Sequence, residues 1–314
     1  AQVVALPKDS PACVTWAATE LAAVLRARKF PCGAYPERNS VRVLIGPDAL
    51  PLTPHPAPSR GAGNAADVSA APEAFAISKS PEGALTVAAA DATGAMYGLL
   101  ELAEQLETAV PAAGRAEPAD LVQPVSRQPT VAVRAVNLFV HVDAHGQLAG
   151  WFKDERYWAR YLDLLARSRF NTLDLHGAYC PASTVFSSLV HVFTSADPAQ
   201  PNPNLAVLKQ VVGKARARGI RVYCMNYLNG PQALQGDLAR RVEQLLRACP
   251  DLAAVGVRVK REGGEALDPF EKCYLAPARA AGFAGSFVTR SWGTDKDTLT
   301  DLARLAGDKL LVEV

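Results

Sequence analysis

No two cysteines in this chain stand as C-x-x-C. The six thiols (Cys13, Cys32, Cys180, Cys224, Cys249 and Cys273) are scattered, which excludes the spacing of a structural zinc site. Cys13 and Cys32 flank one expected helix, so a local disulfide and buried free thiols are both open readings. No Gly-x-Gly-x-x-Gly follows the first strand of the second half, which leaves a dinucleotide-binding sheet unsupported. An excess of one charge is also lacking. The chain has 33 Lys and Arg against 31 Asp and Glu, too even a balance to point to nucleic acid or an anionic membrane. No apolar run is long enough to span a bilayer. The opening AQVVALPKDS has neither an initiator Met nor a basic-then-apolar leader. The expectation is a secreted or periplasmic protein whose signal peptide was removed, or else a trimmed chain.

What is present is ordinary globular material. At 314 residues, 49% apolar and 20% charged, the chain can bury two cores. Residues 1–127 read as a small α+β domain. Asp9 or Ser10 can cap a helix with Pro11 in its first turn and a stripe of Ala17, Leu21, Val24 and Leu25. SVRVLIGPD reads as a strand and turn, and EAFAISKSPEGALTVAAAD as two strands around a Pro-Glu-Gly turn. ATGAMYGLLELAEQLE is an amphipathic helix. Residues 51–72 read as a loose loop, and the Pro- and Ala-rich stretch 108–129 as a linker.

From residue 130 the pattern becomes strand, helix, strand. Strands are expected at VAVRAVNLFVHV, TLDLH, RVYCMNY, AAVGVRV, GSFVTRSW and KLLVEV. Helices are expected over about 154–169, 204–218, 236–248, 267–281 and 296–306. This regularity predicts a parallel sheet with right-handed crossovers, best read over 128–314 as an incomplete (β/α)8 TIM barrel of about six strands. Because a closed barrel has eight strands, the chain is expected to be a fragment of a longer protein.

Such barrels gather their chemistry at the C-terminal strand ends. Reading those positions gives His141, Asp143 and His145, then Asp174 and His176, then Asn226 and Asn229. The fourth strand gives Arg258, Arg261, Glu262 and Glu265, the fifth Arg290 and Trp292, and the sixth Glu313. Carboxylates, hydrogen-bonding groups and an aromatic suit a sugar ligand, with no cofactor and no metal required. Each residue also has a plain structural reading. Asp174, inside an alternating strand, can pair with Arg134 or Arg221. Arg258 inside a barrel needs a carboxylate, for which Glu313 is a candidate. Trp292 can stack on a sugar or pack under a loop. In VGVRVKREGGEAL, Gly256 admits a neighbouring backbone. Glu265 reads as a helix-start charge, whereas Glu262 stands first after the strand, beside two glycines.

The segment GALTVAAADATGAMYGLLELAEQL, through Asp91, Gly94, Tyr97, Gly98, Leu102 and Gln105, resembles the end of the small domain that precedes the barrel in family 67 α-glucuronidases and family 20 hexosaminidases. The stretch RAVNLFVHVDAHGQLAGWFKDERYWARYLDLLARSRFNTLDLH resembles the first βαβ unit of the same enzymes. The resemblance implies a glycoside hydrolase acting on a carbohydrate. By its place after the fourth strand, Glu262 takes the family 67 general-acid role. Glu313 is a further carboxylate able to activate water. The Asp-Glu pair of family 20 is absent there, which lowers the β-N-acetylhexosaminidase reading. Arg258, Arg261 and Arg290 can hold a uronic-acid carboxylate through paired contacts. The competing readings are a non-catalytic carbohydrate-binding protein and a metal-dependent hydrolase built on the His141–His145 region.

Overall fold

The structure, a computed structural model, describes residues 4–28, 30, 40–46, 71–81, 83–110, 117–182, 185–197, 199–227, 235–258 and 270–314. Its contacts divide the chain into two compact units. One is Ala1–Val133 with Arg167–Arg169 and Ala217–Gly219, and the other comprises Arg134–Ala166, Phe170–Arg216 and Ile220–Val314.

The first unit runs β1 (Val4–Ala5), α1 (Ala12–Ala27), β2 (Val41–Ile45), β3 (Phe75–Lys79), β4 (Leu85–Ala89), α2 (Ala92–Thr108), α3 (Pro118–Leu121) and β5 (Val125–Arg127). Its sheet has the order β1-β2-β4-β3-β5. The Asp91 carboxylate starts α2 by accepting the Gly94 N–H and also takes the Glu73 N–H, both at 2.8 Å; this is the N-cap chemistry that satisfies an orphan helix donor. A Cβ on Gly94 would sit 2.4 Å from the Ala74 carbonyl oxygen, and one on Gly98 2.4 Å from the Val87 side chain. These two glycines therefore let α2 lie directly on the sheet, where Leu99, Leu102 and Leu106 are fully buried. Gln105 accepts the Gln123 N–H at 2.8 Å through its side-chain oxygen.

The linker expected over 108–129 needs correction. Residues 125–127 form β5, which pairs antiparallel with β3 from Phe75↔Arg127 to Ile77↔Val125. A three-residue edge strand carries too little alternation to be read from sequence. Residues 51–70 of the expected loop lie outside the described residues. Cys13, Cys224 and Cys249 are buried free thiols, and Cys180 and Cys273 are buried as well; Cys32 lies outside the described residues.

The second unit runs β6 (Ala135–His141), α4 (Gly150–Lys153), α5 (Glu155–Arg167), β7 (Thr172–Cys180), β8 (Val185–Ser187), α6 (Leu189–Phe193), α7 (Pro203–Arg216), β9 (Arg221–Tyr227), α8 (Gln235–Ala248) and β10 (Ala254–Arg258). A π-helical turn, Glu271–Leu275, then leads into α9 (Ala276–Ala281), β11 (Ser286–Arg290), α10 (Lys296–Ala306) and β12 (Leu310–Glu313). The strands stand side by side as β6-β7-β9-β10-β11-β12. All five of these pairings are parallel, and β8 adds antiparallel to β7. Sequential parallel strands joined by helices make a six-strand section of a (β/α)8-type barrel, as the sequence predicts. The hairpin strand β8 and the short helix α6 are not foreseen by it.

Strand residues alternate between two faces. On one face, Tyr223, Met225, Ala254 and Val288 form a buried cluster with Leu311 against it. The other face meets the helices: Phe287 packs edge-on to Phe270 at 6.0 Å, and Asn226 donates to the Tyr274 hydroxyl at 3.0 Å. Gly256 lies on the first face. A Cβ there would sit 1.7 Å from the Val288 carbonyl oxygen, so only glycine allows β10 and β11 their close approach.

Candidate active site

The first face ends in a polar row. Tyr227 is in register with Arg258, and Arg290 with Glu313. Gly256↔Val288, two residues earlier on both strands, puts Arg258 and Arg290 on the same face. His176↔Met225 and Asn137↔Asp174 bring β7 and β6 into it. Six neighbouring strands thus aim Asn137, Asp174, His176, Tyr227, Arg258, Arg290 and Glu313 at one region.

A bulge sets the angle of His176. Between Leu138↔Leu175 and Val140↔Ala178, β7 carries one residue more than β6, the kind of insertion that re-aims a side chain. Gly177 absorbs the irregularity at φ 62°, and a Cβ on it would meet the Tyr227 ring at 2.5 Å. The missing side chain seats that ring, whose hydroxyl lies 2.6 Å from His176 Nε2. On the other side, His176 Nδ1 is 2.9 Å from Asp174 Oδ2. Asn137 Nδ2 donates to the same oxygen at 3.0 Å and stands 2.8 Å from His176 Nδ1. Phe139 closes over the imidazole edge-on, its centroid 5.1 Å away.

Burial fixes the charges. His176 is lowered to about 4 by desolvation, outweighing the attraction of Glu313 and adding to the repulsion of Arg290 and Arg258. It is neutral at pH 7, so its 3.9 Å approach to Glu313 is not an ion pair. Nδ1 lies within hydrogen-bond reach of Asp174 Oδ2 and of the Asn137 amide nitrogen, and Nε2 within reach of the Tyr227 hydroxyl; a proton on Nδ1 is directed to Asp174 and a proton on Nε2 to Tyr227. Both carboxyls are pushed up by desolvation, Asp174 to about 7 and Glu313 to about 8, with the charge of Asp174 and the hydrogen bond between the two adding to the rise at Glu313. The pair therefore keeps a proton at neutral pH, as two close carboxyls must. Asp174 Oδ2 accepts the Asn137 N–H and lies 2.9 Å from His176 Nδ1. Among the described residues, no hydrogen-bond partner reaches the buried Oδ1.

The arginines frame the exposed side. The Arg258 guanidinium lies 4.3 Å from the Trp292 ring centroid and 5.3 Å from that of Tyr227, and Arg290 lies 5.6 Å from Trp292. Cations over ring faces are held by the quadrupole. Trp292 is 64% exposed, so it presents a ring to solvent rather than packing under a loop. Among the described residues, the buried Arg258 Nε has no hydrogen-bond partner.

Of the residues singled out from sequence, Asp174, His176, Arg258, Arg290, Trp292 and Glu313 come together. Asn229, Arg261, Glu262 and Glu265 lie outside the described residues. Three placements differ from expectation. Asp143 is fully exposed, and its carboxylate is used in its own turn, accepting the His145 and Gln147 N–H groups at 2.9 and 2.8 Å; those bonds hold it below the usual carboxylate range. Asn226 faces the helices, because it sits one residue off the parity of Met225 and Tyr227. His141 packs edge-on to Trp151 and Tyr179, with both centroids 5.8 Å away. Among the described residues, the gathered His and carboxylate set is Asp174, His176 and Glu313, and His141 is not part of it. Asp174 pairs with His176, Asn137 and Glu313 rather than with an arginine. Asn137 and Tyr227 escaped the sequence reading altogether. Asn137 is one strand position from an apolar neighbour on each side, an alternation that could have flagged it.

No family model and no curated protein matches the chain. Solved structures do. A GH138 enzyme targeting pectin rhamnogalacturonan II superposes over 98% of this chain with a TM-score of 0.70 at 18% identity. The GH115 4-O-methyl-α-glucuronidase BtGH115A, with specificity for decorated arabinogalactans, gives 0.59 at 14% identity over 98%. The GH20 exo-β-N-acetylglucosaminidase of Vibrio harveyi gives 0.54 at 10% identity over 99%. The chain spans 37%, 44% and 57% of those proteins respectively. The fold is that of these glycoside hydrolases. Among the described residues, no helix is long and apolar enough to cross a membrane.

Proposed function

We propose that the barrel unit belongs to a glycoside hydrolase of α-glucuronidase type, cleaving the glycosidic bond of an acidic sugar by general acid–base hydrolysis. The observation that carries this reading is Glu313. Its side chain is 25% exposed, it keeps its proton to about 8, and it shares a row of strand ends with Arg290. A carboxyl that is still protonated at pH 7 and reaches solvent is suited to protonate a leaving oxygen. The roles read from sequence then exchange: Glu313 donates the proton, and Glu262, following β10, takes the water. Arg258 and Arg290, beside the Trp292 ring, suit a uronate carboxylate, while the indole suits the apolar face of the sugar. The likeness to a 4-O-methyl-α-glucuronidase and to an enzyme targeting pectin supports an acidic substrate.

The test compares leaving groups. Glu313→Gln should lower turnover of an α-glucuronide with a sugar or methyl leaving group by about 10²–10⁴-fold. It should affect a nitrophenyl glucuronide much less, because nitrophenolate leaves without a proton. Equal losses on both substrates would remove Glu313 as the acid. Sugar binding without turnover by the unaltered protein would favour a carbohydrate-binding role.

A further inference from the structure

We propose that Asp174 is a positioning residue that fixes the proton on Glu313: its buried carboxylate, held on Oδ2 by Asn137 and His176, accepts the Glu313 O–H and thereby keeps that carboxyl in the acid form. The role in catalysis rests on the reading of the site as a sugar-cleaving centre; the placement of the proton does not.

Three observations on separate elements lead there. The Asp174 side chain is fully buried, so its charge must be met by donors. Asn137 on β6 donates to Oδ2 at 3.0 Å, and His176 Nδ1 on β7 lies 2.9 Å from the same oxygen. Among the described residues Oδ1 has no hydrogen-bond partner, and the Asp174 and Glu313 carboxylates come within 4.8 Å of one another. Donors on one oxygen favour the ionised form of Asp174 over that of its neighbour. The pair is then asymmetric, with the anion inside and the acid at the exposed end. Tyr227 and the Gly177 bulge hold this asymmetry, because the tyrosine hydroxyl engages Nε2 and leaves the Nδ1 proton for Asp174. Arg290 on β11 acts on Glu313, and Arg290 and Arg258 on β10 act on His176. Arg290 favours ionisation of Glu313; burial opposes it, and Asp174 is the charged group that adds to that opposition.

The experiment is a carboxyl titration by 13C NMR of protein labelled at Asp and Glu, with the Glu313 signal assigned by its loss in Glu313→Gln. In Asp174→Asn the neighbouring anion is gone, and the Glu313 midpoint should fall by about one pH unit or more. The alkaline limb of kcat/KM on a glucuronide with a sugar leaving group should move down with it, while KM stays the same. Asp174→Glu, which restores the charge, should move both back. If the Glu313 midpoint is unchanged in Asp174→Asn, the proposal is wrong. If the midpoint falls but the unaltered protein cleaves no glycoside, the proton placement stands and the enzymatic reading fails. Should Asp174→Asn not fold, Glu313→Gln serves instead: its amide N–H can donate to Asp174 as the acid did, so Asp174 should stay ionised at neutral pH. An Asp174 that carries a proton at neutral pH in Glu313→Gln would overturn the proposal equally.

Discussion

Replacing Glu313 by glutamine should flatten the pH dependence of stability. The folded protein holds the Glu313 proton to about 8, against an ordinary value of 4.5. A carboxyl raised in this way stabilises the folded state fully below the unfolded value. That stability is lost as pH rises through the folded value, because the unfolded chain ionises first. At about 1.4 kcal/mol per pH unit, the interval sets a ceiling near 5 kcal/mol. The side chain is 25% exposed and shares its proton with Asp174, so about 2 kcal/mol is the realistic size. Glutamine has nearly the same shape and cannot ionise. Urea unfolding at pH 5, 7 and 8.5 should show the two proteins alike at pH 5. Between pH 5 and 8.5, Glu313→Gln should gain about 2 kcal/mol relative to the unaltered protein. Tryptophan fluorescence is a suitable probe, since Trp151, Trp158 and Trp292 lie in the barrel unit and only Trp16 in the other. A difference that stays constant across that range would refute the buried-acid account of Glu313.

The same geometry makes other expectations. Gly256→Ala should be destabilising by several kcal/mol, roughly the range of severe core overpacking, seen as a lowered Tm or loss of soluble protein, because its Cβ would overlap the Val288 carbonyl. Gly177→Ala adds a side chain at φ 62° against the Tyr227 ring; it should cost about 1–3 kcal/mol in urea unfolding. Tyr274→Phe removes the acceptor of Asn226 and should cost about 1 kcal/mol of stability without changing KM, as befits a pair on the helix-facing side. Arg290→Leu should raise KM for a glucuronide about tenfold or more while leaving the KM of the matching neutral glucoside near its starting value, if the guanidinium meets the carboxylate.

The barrel section was readable because its strands are short apolar runs bounded by glycine, and its helices have stripes of matching length. Each expected strand from AVNLFVH to LLVE is present. The unit around Asp91 was readable for another reason: a cap followed by glycines at Gly94 and Gly98 leaves few packings open to a helix that must lie on a sheet. What failed was either too short or too local. β1 and β5 have two and three residues, below the length at which alternation is distinguishable from chance. Asp143 looked like a strand-end ligand, but an acid two residues before a histidine and three before a glycine also makes its own turn, and here the turn takes it.

The site was only partly readable because register, not order, decides which strand-end residues meet. Asn226 and Tyr227 are neighbours in sequence and point to opposite faces, so choosing Asn226 missed the side chain that engages His176. Asp174 reads from the sequence as an internal ion pair, because a buried acid calls for a cation and Arg134 and Arg221 stand at the starts of the two neighbouring strands. The strand pairing instead offers it an amide, a neutral imidazole and a second carboxyl. Among the described residues no cation touches it directly, and a carboxylate so placed can persist only if its neighbour stays protonated. The insertion at His176 and Gly177 makes this possible. Without the extra residue in β7, the imidazole would not lie between Tyr227 and Asp174, and the proton of the pair would have no preferred home.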